Sequence, residues 1–130
     1  MATLFKEFTL GAGADAVWDA LADFGALHAR LVPGFVTETK LDSDTRIVTF
    51  SNGSVAREQL VTRDAGRRRL VYGIESERLE HHSASAQVVE ASDGTCRFLW
   101  ITDVLPDAIA PYIDGQMDLG MEAMKKQFGG

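Results

Sequence analysis

Residues 45–66 read TRIVTFSNGSVAREQLVTRDAG, and this stretch decides the fold. Thr45 to Ser51 is rich in β-branched and aromatic residues, which suits a pleated strand. Asn52-Gly53 follows it, and this pair is a strong hairpin signal because both residues tolerate the left-handed backbone of a tight turn. Ser54 to Arg63 alternates in character and ends at Asp64-Ala65-Gly66, a second turn. Strands joined so tightly must be antiparallel.

The same grammar continues outward. Toward the C-terminus come Arg69 to Glu75, His81 to Glu90 ending at Ser92-Asp93-Gly94, and Thr95 to Leu105 ending at Pro106. Toward the N-terminus, Phe35 to Leu41 ends at Asp42-Ser43-Asp44, and Thr3 to Leu10 forms a separate strand broken by Gly11-Ala12-Gly13. Between those two, Ala14 to Phe24 reads as a helix. Val17, Trp18, Leu21 and Phe24 fall at helical spacing, and Asp15 sits where a carboxylate favours the helix dipole. Gly25 to Val32 reads as a second short helix, stopped by Pro33-Gly34.

Ala110 to Phe128 is the long helix, with Pro111 in its first turn and Gly129-Gly130 at its end. Ile113, Met117, Gly120, Met121, Met124 and Phe128 form one stripe, with Asp118, Glu122 and Lys126 opposite. About seven strands need a cover on one face, and this helix is the only element large enough. The expected fold is α+β: one domain over 1–130, a curved antiparallel sheet around the C-terminal helix, in a helix-grip arrangement. Space at the mouth of such a curve suits a small-molecule pocket.

Composition narrows the function. Lys and Arg number 13 against 19 Asp and Glu, a net charge of -6, which repels phosphate backbones, so no nucleic-acid partner is expected. Arg67-Arg68-Arg69 follows a turn and reads as solvated hairpin charge. No apolar run is long enough for stable membrane insertion, and no charged leader precedes an apolar core, so a cytoplasmic protein is expected. Cys96 is the only cysteine, which excludes an intrachain disulfide. His81 and His82 are adjacent on a strand and point to opposite faces. No metal site and no cofactor are expected.

Alternation assigns inward faces. On the strand after Asn52-Gly53, Ala56, Glu58, Leu60 and Thr62 form the less charged set, which leaves Glu58 as an anomalous inward carboxylate. It either lines a pocket, where it needs a partner or a proton, or lies at the rim beside a surface arginine. Leu70, Tyr72 and Ile74 face inward next; Tyr72 either orients a ligand with its hydroxyl or is a core residue. On the following strand His82, Ala84, Ala86 and Val88 are the inward set, with small alanines leaving room. In the last strand both parities are apolar, and Trp100 is assigned inward with Phe98 and Thr102.

Four stretches in this order carry a family resemblance: Ala16-Val17-Trp18-Asp19-Ala20-Leu21-Ala22-Asp23-Phe24 with Leu31-Val32-Pro33-Gly34; Arg57-Glu58-Gln59-Leu60; Arg69-Leu70-Val71-Tyr72; and Gly94-Thr95 to Trp100 with Gly120-Met121-Glu122-Ala123-Met124-Lys125. The chain resembles the START-related helix-grip (SRPBCC) superfamily, in its polyketide cyclase/dehydrase-like and lipid-transport-like branch. The resemblance implies a pocket carboxylate at Glu58, a ligand-facing position at His82, and cavity-facing positions at Tyr112, Gln116 and Gly120. Plant abscisic acid receptors are more distant. The lysine that anchors their ligand is missing near Arg30-Leu31, and their gate is replaced by Phe50-Ser51-Asn52-Gly53-Ser54. Arg30 is the candidate counter-charge to Glu58 or to a ligand acid.

The expected site is therefore Glu58, Leu60, Tyr72, His82, Ala84, Trp100, Tyr112, Gln116 and Gly120. The leading expectation is binding or transport of a small lipophilic molecule, such as a lipid, polyketide or isoprenoid, by a monomer or homodimer. A cyclase, dehydratase or lyase using Glu58, Tyr72 and His82 as acid/base groups is the alternative. An interaction module with a filled cavity is the third.

Overall fold

The computed structural model describes residues 1–130. The chain runs through β1 (Ala2–Leu10), α1 (Ala14–Ala22), two short helical turns (Phe24–Ala26 and Leu27–Leu31), β2 (Val36–Asp42), β3 (Thr45–Phe50), β4 (Val55–Asp64), β5 (Arg69–Glu75), β6 (His81–Glu90), β7 (Cys96–Leu105) and α2 (Ala110–Phe128). The seven strands form one sheet in the order β1-β7-β6-β5-β4-β3-β2, and each neighbouring pair is antiparallel. β1 and β2 are the two edges, so α1 and the short turns cross from one side of the sheet to the other. This is the helix-grip arrangement.

The β3–β4 hairpin sets the register that matters most. Its loop has three residues: Phe50 N–H donates to Ser54 O at 2.9 Å and Gly53 N–H to Phe50 O at 2.9 Å. Gly53 takes φ +86°, a conformation that favours glycine. The resulting pairing sets Arg46 opposite Glu58. Beyond it, a register shift between Leu60 and Thr62 bulges β4 and bends the sheet.

The helix expected over Ala14 to Phe24 stops at Ala22, because Asp23 leaves helical geometry at ψ 81°. The chain then turns tightly, which buries the Phe24 ring, and Leu27–Leu31 is a wide turn closed by Val32 N–H to Leu27 O at 3.0 Å. The basic run is surface charge, as expected: Arg67 bonds Asp64 at 2.9 Å and Arg68 bonds Asp15 at 2.8 Å.

The core lies between the concave face of the sheet and the two helices. Phe8 and Phe98 stack at 5.2 Å between ring centroids, and Val17, Leu21, Ala123 and Met124 close over the inner strands. The C-terminal half of α2 sits hardest on the sheet. A Cβ on Gly120 would lie 2.9 Å from Trp100 Cη2, so glycine there permits the close approach. Gly11 N–H donates to Gly129 O at 2.9 Å and ties that end down. The N-terminal half of α2 is held by ion pairs from Lys6 on β1 to Asp114 (2.7 Å) and Asp118 (2.9 Å). Space remains beneath this half.

Candidate ligand-binding site

That space is a half-open cavity of about 220 Å³. Of its 28 lining residues 20 are hydrophobic, so apolar matter is what it accepts. α1 and the turns after it contribute Leu21, Leu27 and Leu31; α2 contributes Tyr112, Ile113 and Gln116. Ser54, Val55, Ser76 and Arg78, from the ends of β3–β4 and β5–β6, edge the lining, and Val55 and Arg78 are exposed. An engineered cavity of roughly 150 Å³ holds benzene, so this one suits a ligand on the order of ten non-hydrogen atoms, with more beyond the mouth.

One polar cluster interrupts the apolar wall. Glu58 and Arg46 face each other across β3 and β4, and each side chain is only 5% exposed. Arg46 Nε donates to Glu58 Oε1 at 2.8 Å, and Nη2 lies 2.7 Å from the same oxygen. Nη1 donates to Phe24 O at 3.3 Å. The guanidinium carbon sits 3.9 Å from the Phe24 ring centroid and 5.2 Å from that of Tyr72. A buried ion pair survives desolvation only with such hydrogen bonds and a shaped surround.

Tyr72 and His82 stand beside the pair, with ring centroids 6.0 Å apart. Trp100 Nε1–H donates to the Tyr72 hydroxyl oxygen at 3.3 Å, which leaves the phenol proton for another acceptor. Burial, with the Glu58 charge adding to it, pushes the Tyr72 phenol well above its ordinary range. Burial pushes His82 down to about 4. Its Nδ1 accepts the Ile74 N–H at 3.1 Å, so the proton of the neutral ring belongs to Nε2. Near neutral pH both groups therefore hold fixed protonation states.

Of the nine residues expected at the site, Glu58, Tyr72, His82, Trp100, Tyr112 and Gln116 line the cavity. Leu60, Ala84 and Gly120 do not. Leu60 packs against the core beside the β4 bulge, Ala84 is fully buried between neighbouring strands, and Gly120 is filled against by the Trp100 ring. Arg30 is not the counter-charge to Glu58. It pairs with Asp19 and Asp23 on the α1 side, and Arg46 takes the role instead. The missed signal was strand parity: Arg46 alternates with Val48 and Phe50 on the inward face, where an arginine is as anomalous as Glu58. No group of three or more His, Cys, Asp or Glu side chains is placed to hold a metal ion. No helix is long and apolar enough to cross a membrane.

Comparison with known proteins bears on the same cavity. The model of a family described as "Polyketide cyclase / dehydrase and lipid transport" matches residues 1–129. No functionally curated protein matches the sequence. Among solved structures, a protein from Thermobifida fusca is 28% identical with a TM-score of 0.80, over 99% of this chain and 94% of that one. The protein XoxI from Bacillus cereus is 19% identical with a TM-score of 0.87, over 98% and 96%. Truncated norcoclaurine synthase from Thalictrum flavum is 19% identical with a TM-score of 0.75, over 96% and 91%. These likenesses show the fold.

Proposed function

The chain belongs to the polyketide cyclase/dehydrase and lipid transport family, and from that premise we propose that it binds or transports a small lipophilic molecule in the cavity beneath α2. The observation that carries this reading is a mostly apolar, half-open cavity of about 220 Å³ whose wall holds one buried ion pair, Arg46–Glu58. Apolar walls supply affinity and the cluster supplies orientation. A ligand burying on the order of 250 Å² of apolar surface gains roughly 6 kcal/mol before the cost of association. The enclosed volume suits a ring system or a short chain rather than a two-chain phospholipid.

One feature favours binding over chemistry: Glu58, the carboxylate of the cavity wall, is engaged by Arg46. One relative by fold is a synthase, norcoclaurine synthase, so a turnover assay accompanies the binding test. The open cavity also argues against an interaction module whose pocket has filled.

Native mass spectrometry of protein isolated from cell extract tests the reading, together with titration by the neutral dye N-phenyl-1-naphthylamine. A small-molecule adduct, or saturable dye fluorescence displaced by lipophiles, is expected. Protein that is empty and also gives no saturable signal overturns it.

A further inference from the structure

We propose that the Arg46–Glu58 pair makes the cavity selective for a neutral ligand hydroxyl and against a ligand carboxylate, with the open oxygen of Glu58 as the determinant. This rests on the reading that the cavity binds a small lipophile.

The argument begins with the unused oxygen. Glu58 Oε1 takes both contacts from Arg46, while Oε2 receives no hydrogen bond from the protein. No sealed side-chain polar atom lacks a partner, and Glu58 lines the cavity, so Oε2 opens onto it. An anionic acceptor in an apolar wall calls for a donor, and a neutral hydroxyl supplies one in a charge-assisted bond. The same hydroxyl oxygen can accept the Tyr72 proton, since the Tyr72 oxygen already accepts from Trp100.

A carboxylate meets the opposite situation. The Arg46 fork is turned onto Glu58 and Phe24 O, and one face of the guanidinium lies over the Phe24 ring. Three of its five N–H groups are engaged there, and its Nε–Nη2 edge is taken by Glu58. The group left open to the cavity is itself an anionic oxygen, so a ligand acid would be desolvated beside a like charge. Arg78 at the mouth is exposed, and solvent screening makes it a weak substitute.

Competition against N-phenyl-1-naphthylamine at pH 7, using naphthalene, 2-naphthol and 2-naphthoate, tests this with one apolar body throughout. The wild-type protein should bind 2-naphthol about tenfold or more tighter than either other probe. In Glu58→Gln the order changes, because Arg46 loses its anion and 2-naphthoate should rise to at least the affinity of 2-naphthol. In the double variant Arg46→Met, Glu58→Leu, chosen because it leaves no unpaired buried charge, 2-naphthol should lose its advantage over naphthalene. Equal binding of the three probes by the wild type, or a preference for 2-naphthoate, overturns the selectivity and leaves the binding reading standing. Failure of all three to displace a bound dye overturns the selectivity, whereas absence of any saturable dye signal from a protein that is also empty overturns both.

Discussion

Arg46→Met removes the cation paired with Glu58 and keeps much of the side-chain volume against Phe24 and Tyr72. The carboxylate would then stand 5% exposed, with the loss of two contacts at 2.8 and 2.7 Å. Stranding one partner of a buried pair costs about 3–5 kcal/mol, a large part of the roughly 5–15 kcal/mol that holds a domain folded. Urea denaturation at pH 7 measures the loss as a lower midpoint at unchanged slope. Glu58→Leu alone should cost a similar amount, whereas the double variant Arg46→Met, Glu58→Leu should lie within about 2 kcal/mol of wild type, since apolar replacement of both partners is often neutral or better. The coupling energy in that cycle should exceed about 3 kcal/mol. A loss under about 1 kcal/mol for Arg46→Met, or a double variant as damaged as the two singles summed, would refute the reasoning.

Two other substitutions read the packing and the titration. Gly120→Ala gains about 1 kcal/mol of helix propensity, but its Cβ would lie 2.9 Å from Trp100 Cη2, so a net loss of about 1 kcal/mol and an altered Trp emission are expected; a stabilised variant with unchanged emission would show that α2 does not press on that ring. His82 is depressed to about 4 by burial, from an ordinary value near 6.5. The unfolded chain therefore binds the extra proton first, and the stability from keeping His82 neutral is complete above about 6.5 and falls away toward about 4. The loss should reach at most roughly 3 kcal/mol. Nitrogen-15 NMR should show an unprotonated Nδ1 and protonated Nε2 at pH 6, and a charged imidazolium there would contradict the assignment.

The elements were legible because each carries its own punctuation. Arg69–Glu75, His81–Glu90 and Ala110–Phe128 have the boundaries the sequence implies, with Asp64 to Gly66, Asp93-Gly94, Pro106 and Gly129 marking the turns around them. Inward parity was legible for the same reason on three strands, where it placed Glu58, Tyr72 and His82 on the cavity wall, whereas both faces of Cys96–Leu105 are apolar and parity alone did not place Trp100. The partner of Glu58 was not legible. Asn52-Gly53 announces a hairpin without fixing its loop length. A two-residue loop would set Ile47 opposite Glu58, and the three-residue loop sets Arg46 there. One residue of slip exchanges the two faces of a strand, so the loop length and the inward parity of Arg46, Val48 and Phe50 together set the ion pair. Arg30 follows α1, and Asp19 and Asp23 engage it there. Gly120 lies where α2 closes onto Trp100, whereas Leu60 sits beside the β4 bulge and Ala84 is sealed between its neighbouring strands. How far a helix stands from a sheet is a property of packing along the whole interface rather than of any one residue.

The most direct test of a ligand-binding cavity is methyl NMR during titration with 2-naphthol. Ligand contacts, seen as nuclear Overhauser effects, should appear at Leu31, Ile74, Ile113 and Met117, which line the cavity. They should be absent at Val61, which is exposed on the outer face of β4. Saturable shifts confined to the cavity methyls would meet the prediction. Shifts scattered over the surface, or none at saturating probe, would contradict it.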